Sequence, residues 1–258
     1  MKYIFLLLVT LLRLNAATVE APILSVDKKN NTVVIQIDKI DVGMSGFVVH
    51  HISKDHSIVV NNAVVESVDV NISSATLKLL TFHMLDNDSL PKGKYTAEVG
   101  DKVELAFAYN RALLIAPSEE IYHRITQSVQ TQWIHPDLFA TILSYTGHPS
   151  PLKSDFEKMS DATSTGLLFI YLDKHVYTLD MKSFKILNIS NAPLEASRRK
   201  TPFYTRVEKI DSSWWDWGEG TNEMKSYVPY YYKLLLKYNE NNQELQKLYA
   251  QFEKGSRK

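Results

Sequence analysis

Histidine is the first residue type to test for chemistry in this 258-residue chain, which carries eight of them. His50 and His51 are neighbours on a run that reads as a strand, where successive side chains face opposite ways, so they cannot share a metal ion. His56 falls in a turn-like sequence. His83, His123, His135, His148 and His175 have no partner at ligand spacing, and no HExxH pattern occurs. The absence of cysteine removes thiolate ligands, disulfides and a cysteine nucleophile. No metal and no cofactor are expected. Neither a Gly-x-Ser-x-Gly elbow nor a glycine-rich phosphate loop is present, and Gly43-Met44-Ser45-Gly46 leads into a strand rather than a helix. Nothing in the sequence asks for an enzyme.

The remaining candidates are residues that bind. Lys258 ends the chain with an ammonium and a free carboxylate one side-chain length apart. Lys254 shares its basic tail, Lys254-Gly255-Ser256-Arg257-Lys258, which has nothing to pack and is expected to be free. On the helical stretch before the tail, Lys237 with Glu244 and Glu240 with Lys247 share one helical face. Such pairs are also ordinary on a solvated helix. Trp214, Trp215 and Trp217 have two readings, an aromatic platform for sugars or a pin for the C-terminal helix. The i, i+3 spacing of Trp214 and Trp217 at the joint favours the pin. Asp69-Val70-Asn71-Ile72-Ser73 fits the extended acceptor pattern of bacterial N-glycosylation. Asn87 and Asn188 carry the short sequon without the acidic residue two positions before.

These residues need elements to position them. From Ile23 to Ala116 the sequence reads as β. Short runs at Ile23–Val26, Thr32–Ile37, Gly46–Val49, Ile58–Val70, Ala75–Phe82, Val103–Tyr109 and Ala112–Ile115 are punctuated by turn residues, with Asn61-Asn62 as a hairpin tip. A small sandwich or barrel follows. After Pro117 the period changes. Ser118 with Glu119-Glu120 starts a helix whose Ile121, Ile125 and Val129 recur every four residues. Pro136 at the first helical position opens another helix, ended by Gly147, and Ser154–Met159 is a third. Strands return at Gly166–Leu172, Val176–Leu179 and Phe184–Ile189, with one more expected over Phe203–Ile210. Glu223–Glu253 reads as one long helical stretch, interrupted at Pro229 and weakened at Asn239–Asn242. The fold class expected is α+β: a β-rich N-terminal half, a mixed α+β middle and an exposed C-terminal helix.

The first residues point to export. Lys2 precedes an apolar run from Tyr3 to Leu12, broken only by Thr10, and Leu14-Asn15-Ala16-Ala17 supplies the small residues a signal peptidase needs. Arg13 stops the run well short of the ~20 residues that span a bilayer. Residues 1–17 are therefore expected to be a signal peptide cleaved after Ala16 or Ala17. Residues 18–116 would then form the β-rich part, 117–222 the mixed part, and 223–258 the C-terminal helix and basic tail. No second apolar run approaches spanning length, so no transmembrane segment is expected in the mature chain. Lys and Arg number 29, as do Asp and Glu. That balance argues against a nucleic-acid partner, which demands a basic face.

Three segments occur in an order that carries a resemblance: Gly46-Phe47-Val48-Val49, then Ala112-Leu113-Leu114-Ile115-Ala116-Pro117 with Glu120-Ile121-Tyr122, then Thr201-Pro202-Phe203-Tyr204-Thr205-Arg206-Val207-Glu208. They resemble the N-terminal domain of the PgbA family, plasminogen-binding surface proteins of Gram-negative bacteria, over about Ile23 to Ile210. The resemblance implies an exported protein of the cell surface or periplasm that recruits host plasminogen. It also implies lysine-dependent binding at the C-terminal end, where Lys258 matches and Lys254, Lys247 and Lys237 are the further candidates. The kringle modules of plasminogen hold a lysine zwitterion between paired charges and an aromatic trough. The family continues into a long Lys/Glu-rich extension where this sequence stops. That departure leaves a second reading open, a periplasmic or envelope assembly factor using the β half and the tryptophan joint as its interface.

Overall fold

The computed structural model describes residues 18–82, 95–195, 198–211 and 219–256. The expected signal peptide, the three tryptophans Trp214, Trp215 and Trp217, Asn87 and Lys258 lie outside them. The N-terminal half is built from β1 (Val19–Asp27), β2 (Thr32–Gln36), β3 (Ser45–Ser53), β4 (His56–Asp69), β5 (Ser74–Thr81) and β6 (Lys102–Leu105). They close into a barrel in the order β1-β2-β5-β4-β3-β6, every neighbouring pair antiparallel. Alternation dictates what fills it. Ala21 and Ile23, Val33 and Ile35, Ala63 and Val65, Ala75 and Leu77, and Val103 and Leu105 all point inward and are buried. Small and large residues alternate because a six-stranded barrel has little room inside.

The closure depends on Gly46. A Cβ there would lie 1.9 Å from the Glu104 carbonyl oxygen, so only glycine lets β3 pair with β6 at this point. One turn differs from expectation. Asn61 and Asn62 are not a hairpin tip but lie within β4, opposite Val48 and Phe47, beside a bulge. Their side-chain amides donate to the Leu80 and Thr81 carbonyls of β5 at 3.3 and 2.9 Å, which lets two turn-favouring residues persist inside a strand.

The second half continues with β7 (Arg111–Ile115), α1 (Glu119–Ser128), β8 (Gln132–Ile134), α2 (Pro136–Thr146), α3 (Lys153–Thr163), β9 (Leu167–Leu172), β10 (His175–Asp180) and β11 (Ile186–Asn191). The sheet order is β11-β10-β9-β7-β8, with β7 parallel to both β8 and β9. Every residue of β9 is buried, as expected of a strand covered on both faces. Ala112, Leu114, Phe169 and Tyr171 face α1, whose Ile121, Tyr122 and Ile125 complete that core. Leu113, Ile115, Leu168 and Ile170 face the other way and pack with Phe139, Leu143 and Phe156 of α2 and α3. Ser118 caps α1, its Oγ accepting from the Ile121 amide at 3.3 Å, and Gly147 ends α2 at φ 72°.

Phe203–Ile210 is not the strand expected there. Phe203 is buried against Phe139, with ring centroids 5.5 Å apart. The Arg206 amide and the Thr205 hydroxyl both donate to Asp137 Oδ1, at 2.8 and 2.7 Å. Polar groups of this segment are thus taken by the first turn of α2 rather than by a neighbouring strand.

Asp180 joins the halves. It is fully buried, and its Oδ2 accepts from the Ser45 amide at 2.9 Å, the Ser45 hydroxyl at 2.7 Å and the Tyr109 hydroxyl at 2.8 Å. Its Oδ1 accepts from the Lys182 and Ser183 amides at 3.1 and 2.7 Å. One carboxylate therefore binds the start of β3, the loop after β6 and the β10–β11 turn. Burial first, and the Asp180 charge second, keep the Tyr109 phenol protonated far above its ordinary range.

The C-terminal stretch is helical but is two helices, α4 (Tyr227–Tyr238) and α5 (Gln243–Ser256). Pro229 does not interrupt it, because it lies in the first turn of α4, where a missing amide costs nothing. The expected exposed helix is corrected for α4, which buries Tyr227, Val228, Tyr231, Tyr232, Leu234 and Leu235.

Candidate functional site

The candidate binding residues lie on these last two helices, and α4 is the support. Its tyrosines reach out of the helix to backbone oxygens that would otherwise need other donors. The Tyr227 hydroxyl is 3.0 Å from both the Ile115 and the Tyr171 carbonyl oxygens. Tyr230 donates to Pro151 O at 2.8 Å and Tyr231 to Pro202 O at 3.0 Å. Burial raises the Tyr227 and Tyr231 phenols well above their ordinary range, so both remain donors.

Asn239 ends α4 and is itself buried. Its Nδ2 donates to the Phe184 and Leu235 carbonyls at 3.1 and 3.0 Å, and its Oδ1 accepts from the Ile186 amide at 2.9 Å. The helix end is thereby stitched to β11. Asn242 then starts the next helix, its Oδ1 accepting from the Leu245 amide at 2.9 Å. The break that the Asn-rich stretch foretold is a designed corner with both ends satisfied.

Leu245 of α5 is buried, and Leu248, Tyr249 and Phe252 pack beside it at helical spacing. The Tyr249 and Phe252 rings lie 5.4 and 5.3 Å from that of Tyr232. At ~100° per residue, Lys247 and Lys254 fall within about 20° of each other and about 180° from Leu245. Both are exposed, and neither has an ion-pair partner among the described residues. The tail expected to be free from Lys254 onward is corrected here: α5 continues to Ser256 and holds Lys254 in its last turn, where a cation suits the helix dipole. The structure thus gathers Lys247 and Lys254 on one solvent face. Lys258 lies outside the described residues.

Lys237 belongs elsewhere. The corner at 239–242 separates it from Glu244, and Glu240 from Lys247, so neither expected pair shares a helix. Its Nζ instead pairs with Glu219 at 3.1 Å, which raises its pKa above the ordinary lysine value. With Lys153 and Lys233 it lines an open groove of about 550 Å³ between α3 and α4, which also takes in Tyr230 and Tyr238. Lys153 is paired with Glu157 at 2.7 Å, whereas Lys233 has no ion pair among the described residues. Sequence spacing could not reveal this grouping, because its members come from separate elements.

His50 and His148 are held by acidic partners. His50 Nδ1 lies 2.8 Å from Asp101 and His148 Nδ1 2.9 Å from Asp155. Among the described residues no group of three or more His, Cys, Asp or Glu could hold a metal ion. Among them, too, no helix is long and apolar enough to cross a membrane.

Comparison with known proteins places this geometry. The family model described as plasminogen-binding protein pgbA N-terminal matches residues 18–235. Proteins named plasminogen-binding protein PgbA, from two strains of Helicobacter pylori, are each 29% identical over 238 residues, 90% of this chain. The chain spans only about half of their length, 52% and 51%. No solved structure matches. Lys237, Lys247, Lys254 and Lys258 all lie beyond the last residue that the family model matches.

Proposed function

The chain belongs to the PgbA N-terminal family, and from that membership we propose that it is an exported, non-enzymatic protein that binds host plasminogen at the bacterial surface. The observation that carries the reading is the similarity, across 90% of this chain, to proteins named for plasminogen binding. Lys258 is the leading contact, and Lys247 and Lys254, on the outer face of the docked helix α5, are the further ones. A kringle would take a lysine side chain between opposite charges and an aromatic trough, and charge-assisted bonds of that kind are individually strong. Display on α5 favours such capture, because the two lysines stand away from the apolar stripe that fixes the helix.

The test is plasminogen binding to the purified chain, with and without a lysine analogue. Three forms are compared: residues 18–258, the same chain lacking Lys258, and K247A/K254A. Loss of Lys258 is expected to weaken binding by roughly thirtyfold, the size of one hot spot. Arg257 does not replace it, since Arg and Lys are not interchangeable at a fitted site. Equal binding by all three forms, with displacement by the analogue, would move the site to other lysines, Lys237 and Lys233 first. No binding by any form would overturn the proposal in favour of the envelope-assembly reading.

A further inference from the structure

Three short Asn-x-Ser/Thr sequons fall among the described residues, and their surroundings differ in ways that bear on modification. Asn30-Asn31-Thr32 lies at the exposed β1–β2 turn. Its Asn30 Nδ2 is tied to Asp27 Oδ2 at 2.7 Å, and the residue two before is Lys28. Asn188-Ile189-Ser190 lies within β11. Asn188 is registered against Thr178 of β10, its Nδ2 donates to Ser190 Oγ at 2.7 Å, and the residue two before is Ile186.

Asn71-Ile72-Ser73 repeats the Asn188 tripeptide in another setting. It forms the turn between β4 and β5 at the end of the barrel, and Asn71 is exposed. Among the described residues no hydrogen bond holds the Asn71 side-chain amide or the Ser73 hydroxyl; the bonds here are to backbone groups, the Asn71 amide donating to Asp69 Oδ1 at 3.0 Å and the Ser73 carbonyl accepting from the Ile37 amide at 2.8 Å. Asp69 is also the acidic residue two before the asparagine. Val70 and Ile72, on either side, are 77% and 67% exposed. Accessible turn, free amide, free hydroxyl and acidic neighbour coincide here and not at the other two sequons.

From this we infer that Asn71 is the site at which an oligosaccharide is attached, the donor being a lipid-diphosphate-linked glycan. The Asn71 amide nitrogen forms the new bond to the anomeric carbon of the first sugar. The bond from that carbon to the diphosphate oxygen breaks, the lipid diphosphate leaves, and the amide gives up one proton to the transferring enzyme's base. No oxidant or reductant is required. The glycan would cover Val70 and Ile72, two apolar side chains that otherwise stand in water at the barrel end. In the cell the reaction depends on the export proposed above, so the test is made without it.

The purified 258-residue chain is incubated with a single-subunit bacterial oligosaccharyltransferase that requires an acidic residue two before the asparagine, and with its lipid-linked heptasaccharide or other defined donor. Intact mass and peptide mapping are read. One glycan on Asn71 is expected, absent from N71Q and S73A, strongly reduced in D69A and retained in D69E. The last variant keeps the acid, so it separates recognition of the charge from the shape of the turn. An unmodified chain beside a modified control peptide would overturn the inference, as would transfer to Asn30 or Asn188, or full transfer to D69A. A glycan found in vitro but missing from protein taken from its own cells would overturn attachment in the cell and leave only the acceptor competence of Asn71; whether that protein has lost residues 1–17 then tells a failure of export from the lack of a transferase.

Discussion

Asparagine in place of Asp180 keeps the side-chain shape while removing its charge and one acceptor, so D180N isolates the contact that joins barrel and sheet. In the native chain Oδ2 serves three donors from Ser45 and Tyr109, and Oδ1 serves two amides of the β10–β11 turn. If the new carbonyl oxygen keeps the turn amides, the new NH₂ group faces Ser45. The Ser45 and Tyr109 hydroxyls can rotate to accept from it. The Ser45 amide, 2.9 Å from the original oxygen, cannot rotate and meets donor with donor. A buried amide left without its acceptor costs ~1–3 kcal/mol, and bonds that were charge-assisted become weaker neutral ones. Relief from burying a charge offsets part of this. The net cost should be about 2–4 kcal/mol.

For a chain of this size that corresponds to a fall in melting temperature of roughly 4–16 °C. Urea unfolding measures the cost directly, provided the slope is unchanged. Y109F supplies the partner variant. It removes one donor, leaves the carboxylate four others and should cost about 1–2 kcal/mol. The double variant should cost clearly less than the sum, because the two changes share one bond. A D180N chain as stable as its parent, or a strictly additive cycle, would refute the reasoning.

G46A places a methyl group 1.9 Å from the Glu104 carbonyl, where backbone must move, and should cost about 3 kcal/mol or more in a thermal melt. Y227F strips a buried hydroxyl shared by two carbonyls and should cost about 1–2 kcal/mol by urea unfolding. Desolvation disfavours the Asp137 carboxylate, but the Arg206 amide, the Thr205 hydroxyl and the Arg206 guanidinium outweigh it and hold its pKa at about 2, against an ordinary 3.8. A depressed carboxyl stabilises fully above the unfolded value and loses that contribution as pH falls through the folded one. D137N should therefore flatten the acid limb between 3.8 and about 2 in urea midpoints measured across that window. The buried phenols of Tyr109, Tyr227 and Tyr231 are raised, so their contribution is complete below pH 10.0 and lost above it. Phenolate absorbance from them should appear only together with unfolding.

Alternation made the barrel legible, because inward Ile, Val and Leu recur at every second position and a closed sheet has one inside. Closure itself was not legible. It rests on β6 pairing with both β1 and β3 across long stretches of chain, and on a glycine whose need is visible only beside Glu104. Asn61-Asn62 carried a turn signal that β5 carbonyls overrode. Phe203–Ile210 carried strand propensity, but the nearest unsatisfied partner was a carboxylate at a helix start. Spacing on a presumed single helix mispaired Lys237 with Glu244, since the Asn239 corner changes direction between them. The α5 pair was missed as well, because Lys254 was assigned to a free tail whereas the helix runs on to Ser256 and turns it onto the face of Lys247.

That opposition also makes the proposed binding separable from the fold. Residues that dock α5 are Leu245, Leu248, Tyr249 and Phe252, against Tyr232 of α4. Lys247 and Lys254 are exposed on the opposite side of α5, so K247A/K254A changes the outer face and should leave stability within about 0.5 kcal/mol of the parent. Replacing Phe252 by alanine does the reverse: it frees the helix while keeping every lysine. If binding needs only a flexible lysine-bearing end, F252A binds as well as the parent. If it needs lysines held in a fixed array, F252A weakens binding although no contact residue has changed. The family model ends at residue 235, before α5 begins, so these two outcomes probe a helix that the family model does not cover.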